Sequence, residues 1–154
     1  MPAEVTVVNL SQSSPSEIEA VQAAVLRYLG TARPPGLQWN PQPLVLALLD
    51  AETAGYMGGL IGETLWGYLH VRLLSVDESL RGRGFGRQLM ESAHAEALQR
   101  GCHGVYLDTF SFQAPDFYQK LGYEIYGRLD DFPKGHCRYF LRRSLVGGQK
   151  QDLE

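Results

Sequence analysis

The sequence predicts a mixed-sheet α/β (α+β) fold, with about seven strands in one sheet and helices on its faces. Three observations predict it. Short apolar segments separated by polar or glycine-containing turns run from Leu44 to Val76 and read as consecutive antiparallel strands. The last of them feeds a basic glycine turn and then a helical period of Phe85, Leu89, Met90, Ala93 and Ala97. Val105–Ser111 follows that helix and is rich in strand-favouring residues, so a parallel crossover beside the central strand is expected.

In chain order, Glu4–Leu10 alternates as a first strand would. Ser14-Pro15-Ser16-Glu17 is a helix start: Ser14 caps, Pro15 takes the first helical position and Glu17 closes a capping box. Ile18, Val21, Val25 and Leu29 mark one apolar face of that helix, and Gly30 ends it. Thr31–Pro43 holds Pro34-Pro35-Gly36, Trp39 and two further prolines, which excludes a long helix.

Leu44–Leu49 is a short strand and Asp50–Gly55 a turn. Tyr56–Ile61 is a strand in which Gly58 and Gly59 suggest a bulge or a close backbone approach. Gly62–Thr64 turns again, and Leu65–Val76 is the central strand. Gly101 stops the helix after the glycine turn. Pro115 opens a short helix carrying Phe117, Tyr118 and Leu121, closed by Gly122. Tyr123–Leu129 and His136–Leu145 are the last strands, joined by the turn-rich Asp130–Gly135.

The 154 residues suffice for one domain with a real core. With 44% hydrophobic and 20% charged residues and a net charge of −3, the chain has no general attraction to nucleic acid, so any cluster of arginines is a local feature. Cys102 and Cys137 form no Cys-x-x-Cys pair; two free thiols in a cytoplasmic protein are expected, with no metal. The N-terminus lacks the pattern of a signal peptide, and no apolar run is long enough for a membrane span.

The chemistry gathers at Arg81, Gly82, Arg83, Gly84, Phe85, Gly86 and Arg87. Glycines allow positive φ and a close backbone approach. The helix N-terminus that follows offers free N–H groups to an anion, and three arginines add bidentate positive charge. No Lys-Ser or Lys-Thr pair follows, so the turn is not a P-loop. Gly82-Arg83-Gly84 begins a dinucleotide fingerprint, but Arg87 stands where its third glycine should be.

Arg81-Gly82-Arg83-Gly84-Phe85-Gly86 resembles the acyl-CoA-binding motif of the GNAT superfamily of N-acetyltransferases, Arg/Gln-x-x-Gly-x-Gly/Ala, preceded by the apolar-x-Val pattern Leu74-Ser75-Val76. Downstream, Phe117-Tyr118-Gln119-Lys120-Leu121-Gly122-Tyr123 is similar to that family's Phe-Tyr-x-x-x-Gly-Phe/Tyr segment. The two segments lie within Leu44–Leu145, the span that the likeness covers. The resemblance implies a GNAT-like domain over residues 1–146, with 147–154 a frayed tail, and a central strand that splays from its parallel neighbour to admit the pantetheine arm. It implies acetyl-CoA as co-substrate, held by backbone of Leu74, Ser75 and Val76 and by the turn from Arg81 to Arg87.

The implied activity is N-acetylation of a small-molecule or peptide amine by direct attack. His70 corresponds to a family position for the general base, although many members use a water chain; Asp77 and Glu78 are alternatives. An imidazole titrates in the required range. Tyr118 corresponds to the general acid for the CoA thiolate, or else it is a buried aromatic beside Phe117. Trp39 either contacts the acceptor or packs under its loop. His136, with Asp130, Asp131 and Phe132, either borders the acceptor pocket or forms a solvated turn. His94 and His103 read as structural or solvated. Homodimers are common in the family. A catalytically inactive acyl-CoA-binding module is the alternative, against which the presence of both His70 and Tyr118 argues.

Overall fold

The computed structural model describes residues 3–146; the expected tail, 147–154, lies outside them. The chain divides into two compact units, Met1–Trp39 and Asn40–Glu154.

The first unit contains helix α1 (Pro15–Thr31). Its capping box is formed: Ser14 Oγ accepts from the Glu17 N–H, and a Glu17 carboxylate oxygen accepts from the Ser14 N–H. The helix runs one residue past Gly30 and is capped at Ala32. Glu4–Leu10 is not a strand. Its alternation satisfies one face, but a strand also needs a ladder partner, and its own unit contains no other strand. The sheet accordingly has six strands rather than about seven.

All six lie in the second unit: β1 (Gln42–Leu49), β2 (Tyr56–Leu65), β3 (Tyr68–Val76), β4 (Gly104–Phe110), β5 (Glu124–Asp130) and β6 (Cys137–Ser144). Their order is β1-β2-β3-β4-β6-β5, with β3 and β4 parallel and the other neighbours antiparallel. Helix α2 (Phe85–Gln99) joins the parallel pair, and α3 (Pro115–Lys120) follows β4.

The turn expected at Gly62–Thr64 sits instead at Trp66-Gly67, so β2 is longer than its sequence suggests and β3 starts at Tyr68. Trp66 and Gly67 have φ of 48° and 85°, the positive pair that matches the twist of a two-residue hairpin. Gly62 is paired within β2, and it is glycine because a Cβ there would run into the His70 carbonyl oxygen.

The core is built on one sheet face. Leu44, Leu60, Leu69, Val105, Leu107 and Leu141 meet Leu89, Met90, Ala93 and Ala97 of α2. These helix positions recur at the spacing of one helical face, which is why the segment buries them together. Both α2 and α3 end in a Schellman arrangement: Cys102 N–H to Ala97 O and Gly101 N–H to Leu98 O, then Tyr123 N–H to Tyr118 O and Gly122 N–H to Gln119 O.

β3 carries a bulge. Gly62 pairs with Val71 but Ile61 pairs with Leu73, leaving Arg72 as the extra residue. Before it, Leu69 and Val71 face the core; beyond it, Leu74 and Val76 do. The bulge bends β3 where its pairing with β4 stops. Only Tyr68, Leu69 and His70 have partners there, namely Gly104, Val105 and Tyr106.

Candidate functional site

A fork therefore opens between β3 and β4 above the His70–Tyr106 rung. Between its arms lies a cavity of about 170 Å³, bounded by Val71, Leu73 and Leu74 on one side and by Leu107, Asp108 and Thr109 on the other, with Tyr118 of α3 also in its wall. Strand backbone beyond His70 has lost its β4 ladder, so its polar groups are available to an extended ligand.

The glycine turn follows β3 by way of a short 3₁₀ segment, Glu78–Leu80, capped by Asp77. Hydrogen bonds from the Ser79 N–H and hydroxyl hold the Asp77 carboxyl below its usual pKa, and Asp77 is thereby a turn anchor. Gly82 and Gly84 have φ of 72° and 82° and open space where a Cβ would lie. They are glycines because of their left-handed backbone, not because anything crowds them. Gly84 caps α2 without a side-chain hydrogen bond, and no acidic side chain occupies the first turn, so nothing acidic in that turn competes for the first N–H groups. Gly86 packs towards Phe117 of α3, while Phe85 is half-buried.

Arg81, Arg83 and Arg87 are exposed. Arg81 Nε reaches the Val76 carbonyl at 3.4 Å, Arg83 lies 5.4 Å from the Phe85 ring and Arg87 pairs with Glu91 at 2.9 Å. Ser75 is exposed at the end of β3, and Leu74 and Val76 are half-buried against the core.

His70 occupies the last paired rung at the base of the fork. Its ring lies parallel to that of Tyr106, with centroids 4.5 Å apart and planes at 8°. Glu63 is its partner across β2. Burial lowers its pKa below the ordinary imidazole value, while the charges of Asp108 and Glu63 draw it back up and Arg72 lowers it further. Among the described residues, no hydrogen bond occupies its ring nitrogens.

Tyr118 is buried, and burial, reinforced by the Asp108 charge, pushes its phenol up to about 12. Its ring meets those of Phe117 and Tyr123 edge-on, with centroids 5.0 and 5.9 Å apart. Its hydroxyl has no hydrogen-bond partner among the described residues. Leu74, at the expected cofactor end of β3, and Tyr118 thus line one cavity with Asp108.

Asp108 is a residue that sequence reasoning passed over. It borders the cavity and is held by Arg138 of β6, whose Nε donates to Oδ2 at 2.7 Å. A single Asp in an apolar strand is the signal that could have drawn attention to it. In the β5–β6 turn, Asp130 accepts from Arg128 at 2.6 Å and Asp131 from the Gly135 N–H at 3.1 Å. His94 is buried and structural, hydrogen-bonded to Tyr123 and Arg143. Cys102 and Cys137 are free thiols. Among the described residues no group of three or more His, Cys, Asp or Glu could hold a metal ion, and no helix is long and apolar enough to cross a membrane.

A family model for the acetyltransferase (GNAT) domain matches residues 41–125. Blasticidin-S acetyltransferase of Streptomyces morookaense is 37% identical over 114 residues, covering 73% of this chain and 84% of that protein. The crystal structure of an acetyltransferase from Bacillus cereus matches with a TM-score of 0.79 and 33% identity, over 91% of this chain and 97% of that one. A candidate streptothricin acetyltransferase from Bacillus anthracis, solved in complex with acetyl coenzyme A, shares the fold at a TM-score of 0.58 and 22% identity, over 70% of this chain and 65% of that one.

Proposed function

This chain belongs to the GNAT family of acetyltransferases, and on that premise we propose that it transfers the acetyl group of acetyl-CoA to the primary amine of a small molecule. The observation that carries this reading is the fork: pairing between β3 and β4 ends at His70–Tyr106, and Leu74, Asp108 and Tyr118 wall the cavity beyond it. The relative named for blasticidin S supports a small-molecule acceptor.

Acetyl-CoA supplies an activated thioester. The backbone of the strand end Leu74-Ser75-Val76 suits its polar arm, and the start of α2, free of any side-chain cap, with Arg81, Arg83 and Arg87 suits its phosphates. In the reaction a C–N bond forms, a C–S bond breaks and the amine gives up one proton net.

An alkylamine of pKa ~10.4 reaches its neutral form at pH 7 at a cost of roughly 4.6 kcal/mol, from about 1.36 kcal/mol per pKa unit. His70, neutral at pH 7, takes that proton directly or through a water chain. Tyr118 donates a hydrogen bond to the departing sulfur as general acid. With its phenol at about 12, complete proton transfer to a thiolate of pKa near ~8.5 is uphill. The hydrogen bond in the transition state therefore provides the stabilisation, and the thiol regains its proton as the amine's proton is released.

The test is isothermal titration with acetyl-CoA, with ATP and NAD as controls, followed by thiol release on an amine panel. Low-micromolar binding of acetyl-CoA alone, with amine-dependent thiol release, is expected. Binding without turnover would identify an inactive acyl-CoA-binding module, and no binding would end the proposal.

A further inference from the structure

Past Asp108 the open end of β4 carries an aromatic cluster that acetyl transfer itself does not require. Arg138 is at its centre. While its Nε holds Asp108, its guanidinium carbon lies 5.4, 5.2 and 5.4 Å from the ring centroids of Phe110, Phe132 and Phe140. Phe110 is parallel to Phe112, with centroids 5.2 Å apart and planes at 7°, and stands across Phe132 at 76°. The His136 ring stands across Phe112 at 84°.

This cluster is fixed in place. Gln113 Oε1 accepts from the Phe110 N–H at 3.1 Å and from the Thr109 hydroxyl at 3.2 Å, pinning the turn that carries Phe112. Nevertheless Phe112 remains 56% exposed and Phe132 42%. Rigid aromatic rings left open beside a reactive cavity form a platform for another ring. The platform is continuous with the cavity, since Asp108 and Gln113 line it as well.

Charge narrows the ligand further. A polycation would need several free carboxylates here, yet Asp130 is ion-paired with Arg128, Asp131 turns one oxygen back onto the Gly135 N–H, and a guanidinium occupies the centre of the cluster. Among the described residues lining the cavity Asp108 is the one carboxylate; Arg138 takes its Oδ2 and the Arg72 side chain shares the wall, which leaves Asp108 Oδ1 for a single ammonium group.

We propose that this cluster receives the acceptor, and that the acceptor is a primary amine on a planar aromatic or heteroaromatic body, its ring against Phe112 and Phe132 and its ammonium group toward Asp108. This rests on the acetyl-transfer reading for the amine and adds the class of body that carries it.

The test is steady-state thiol release at saturating acetyl-CoA with phenethylamine and tryptamine against hexylamine, spermidine, glucosamine and a lysine peptide, together with calorimetric titration of acetyl-CoA. The ring-bearing amines should show at least tenfold higher kcat/KM. Phe112→Ala and Phe132→Leu should each raise their KM about fivefold or more and leave the KM for acetyl-CoA unchanged; Leu keeps the apolar volume, which separates a lost ring face from a lost fold. Free indole should compete with the amine and not with acetyl-CoA. Aliphatic amines serving equally well, an unaltered amine KM in both variants, or ring-bearing amines that neither react nor compete, with acetyl-CoA still bound, would overturn the inference alone. Loss of acetyl-CoA binding by the unaltered protein would overturn it together with the reading on which it rests.

Discussion

A histidine–tyrosine pair lies on each side of the sheet, one between α2 and the start of β5 and one on β3 and β4. On the core face His94 is buried with both ring nitrogens occupied. Arg143 can only donate, so Nδ1 accepts from it at 3.1 Å, and Nε2–H donates to the Tyr123 hydroxyl at 2.6 Å. On the opposite face His70 is held by a ring stack on Tyr106, which orients the imidazole without using either nitrogen. Burial lowers both histidines below the ordinary pKa, yet one is locked into one tautomer and the other is free to exchange a proton. A histidine whose nitrogens are spent supports the fold; one fixed only through its ring face is available for chemistry.

The neighbouring tyrosines repeat this contrast, and there the largest effect is expected. Tyr118→Phe should lower kcat roughly 10³-fold, within the usual range for a lost general acid, and leave acetyl-CoA affinity and the melting temperature unchanged. Tyr123→Phe should do the reverse, keeping kcat while lowering stability by about 1–3 kcal/mol, because the buried His94 N–H loses its acceptor. Steady-state kinetics and urea denaturation of both variants check the pair. Equal kcat losses would erase the distinction.

The next effect is on stability against pH. His94 has a folded pKa of about 4, lowered by burial and by Arg143 and raised in part by Glu91, from an unfolded value of 6.5. As pH falls below 6.5 the unfolded chain binds a proton here and the folded chain does not, so stability is lost across the window from 6.5 to 4. The loss is about 3 kcal/mol by pH 4. His94→Gln should flatten that part of the curve in urea midpoints measured from pH 7 to pH 4. An unchanged slope would mean that His94 titrates normally.

With His70 as the proposed base, the same protonation is expected to act on rate. The base must be neutral, so kcat/KM should fall below a pKa that lies under 6.5. His70→Gln should remove this acid limb and lower kcat/KM by roughly 10- to 100-fold. A limb that survives with less than a threefold loss would assign the proton to the water chain.

What the sequence revealed and what it concealed follow the range of the interactions. The capping box of α1, the helical face of α2 and the turn from Arg81 to Arg87 are each complete within a few consecutive residues, so each was readable. Gly62 looked like a turn residue because its real constraint, the approach of the His70 carbonyl at the bulge, comes from the neighbouring strand. The hairpin instead turns on Trp66 at φ 48°, a residue with no turn preference to betray it. The Asp108–Arg138 pair spans 30 positions and the His94 contacts span 29 and 49, so they exist only once the strand registers are known. Glu4–Leu10 failed for the same reason in reverse: its local pattern was right and its ladder partner was missing.

The smallest effect belongs to the turn, where structure and binding separate most cleanly. Arg83 is exposed, and its guanidinium lies 5.4 Å from the Phe85 ring. Its loss should barely move the melting temperature. If it faces a phosphate, Arg83→Ala gives up one solvent-exposed ion pair, about 1 kcal/mol, so acetyl-CoA should bind about fivefold more weakly. Arg87 is already paired with Glu91 at 2.9 Å, and Arg87→Ala should cost less. The Arg83 effect should also shrink as salt rises, because the screening length falls from ~10 Å at 0.1 M to ~3 Å at 1 M. Calorimetric titrations of both variants at low and high salt decide the point: a salt-independent loss at Arg83 would indicate packing on Phe85, and no loss at all would place the phosphates elsewhere at the start of α2.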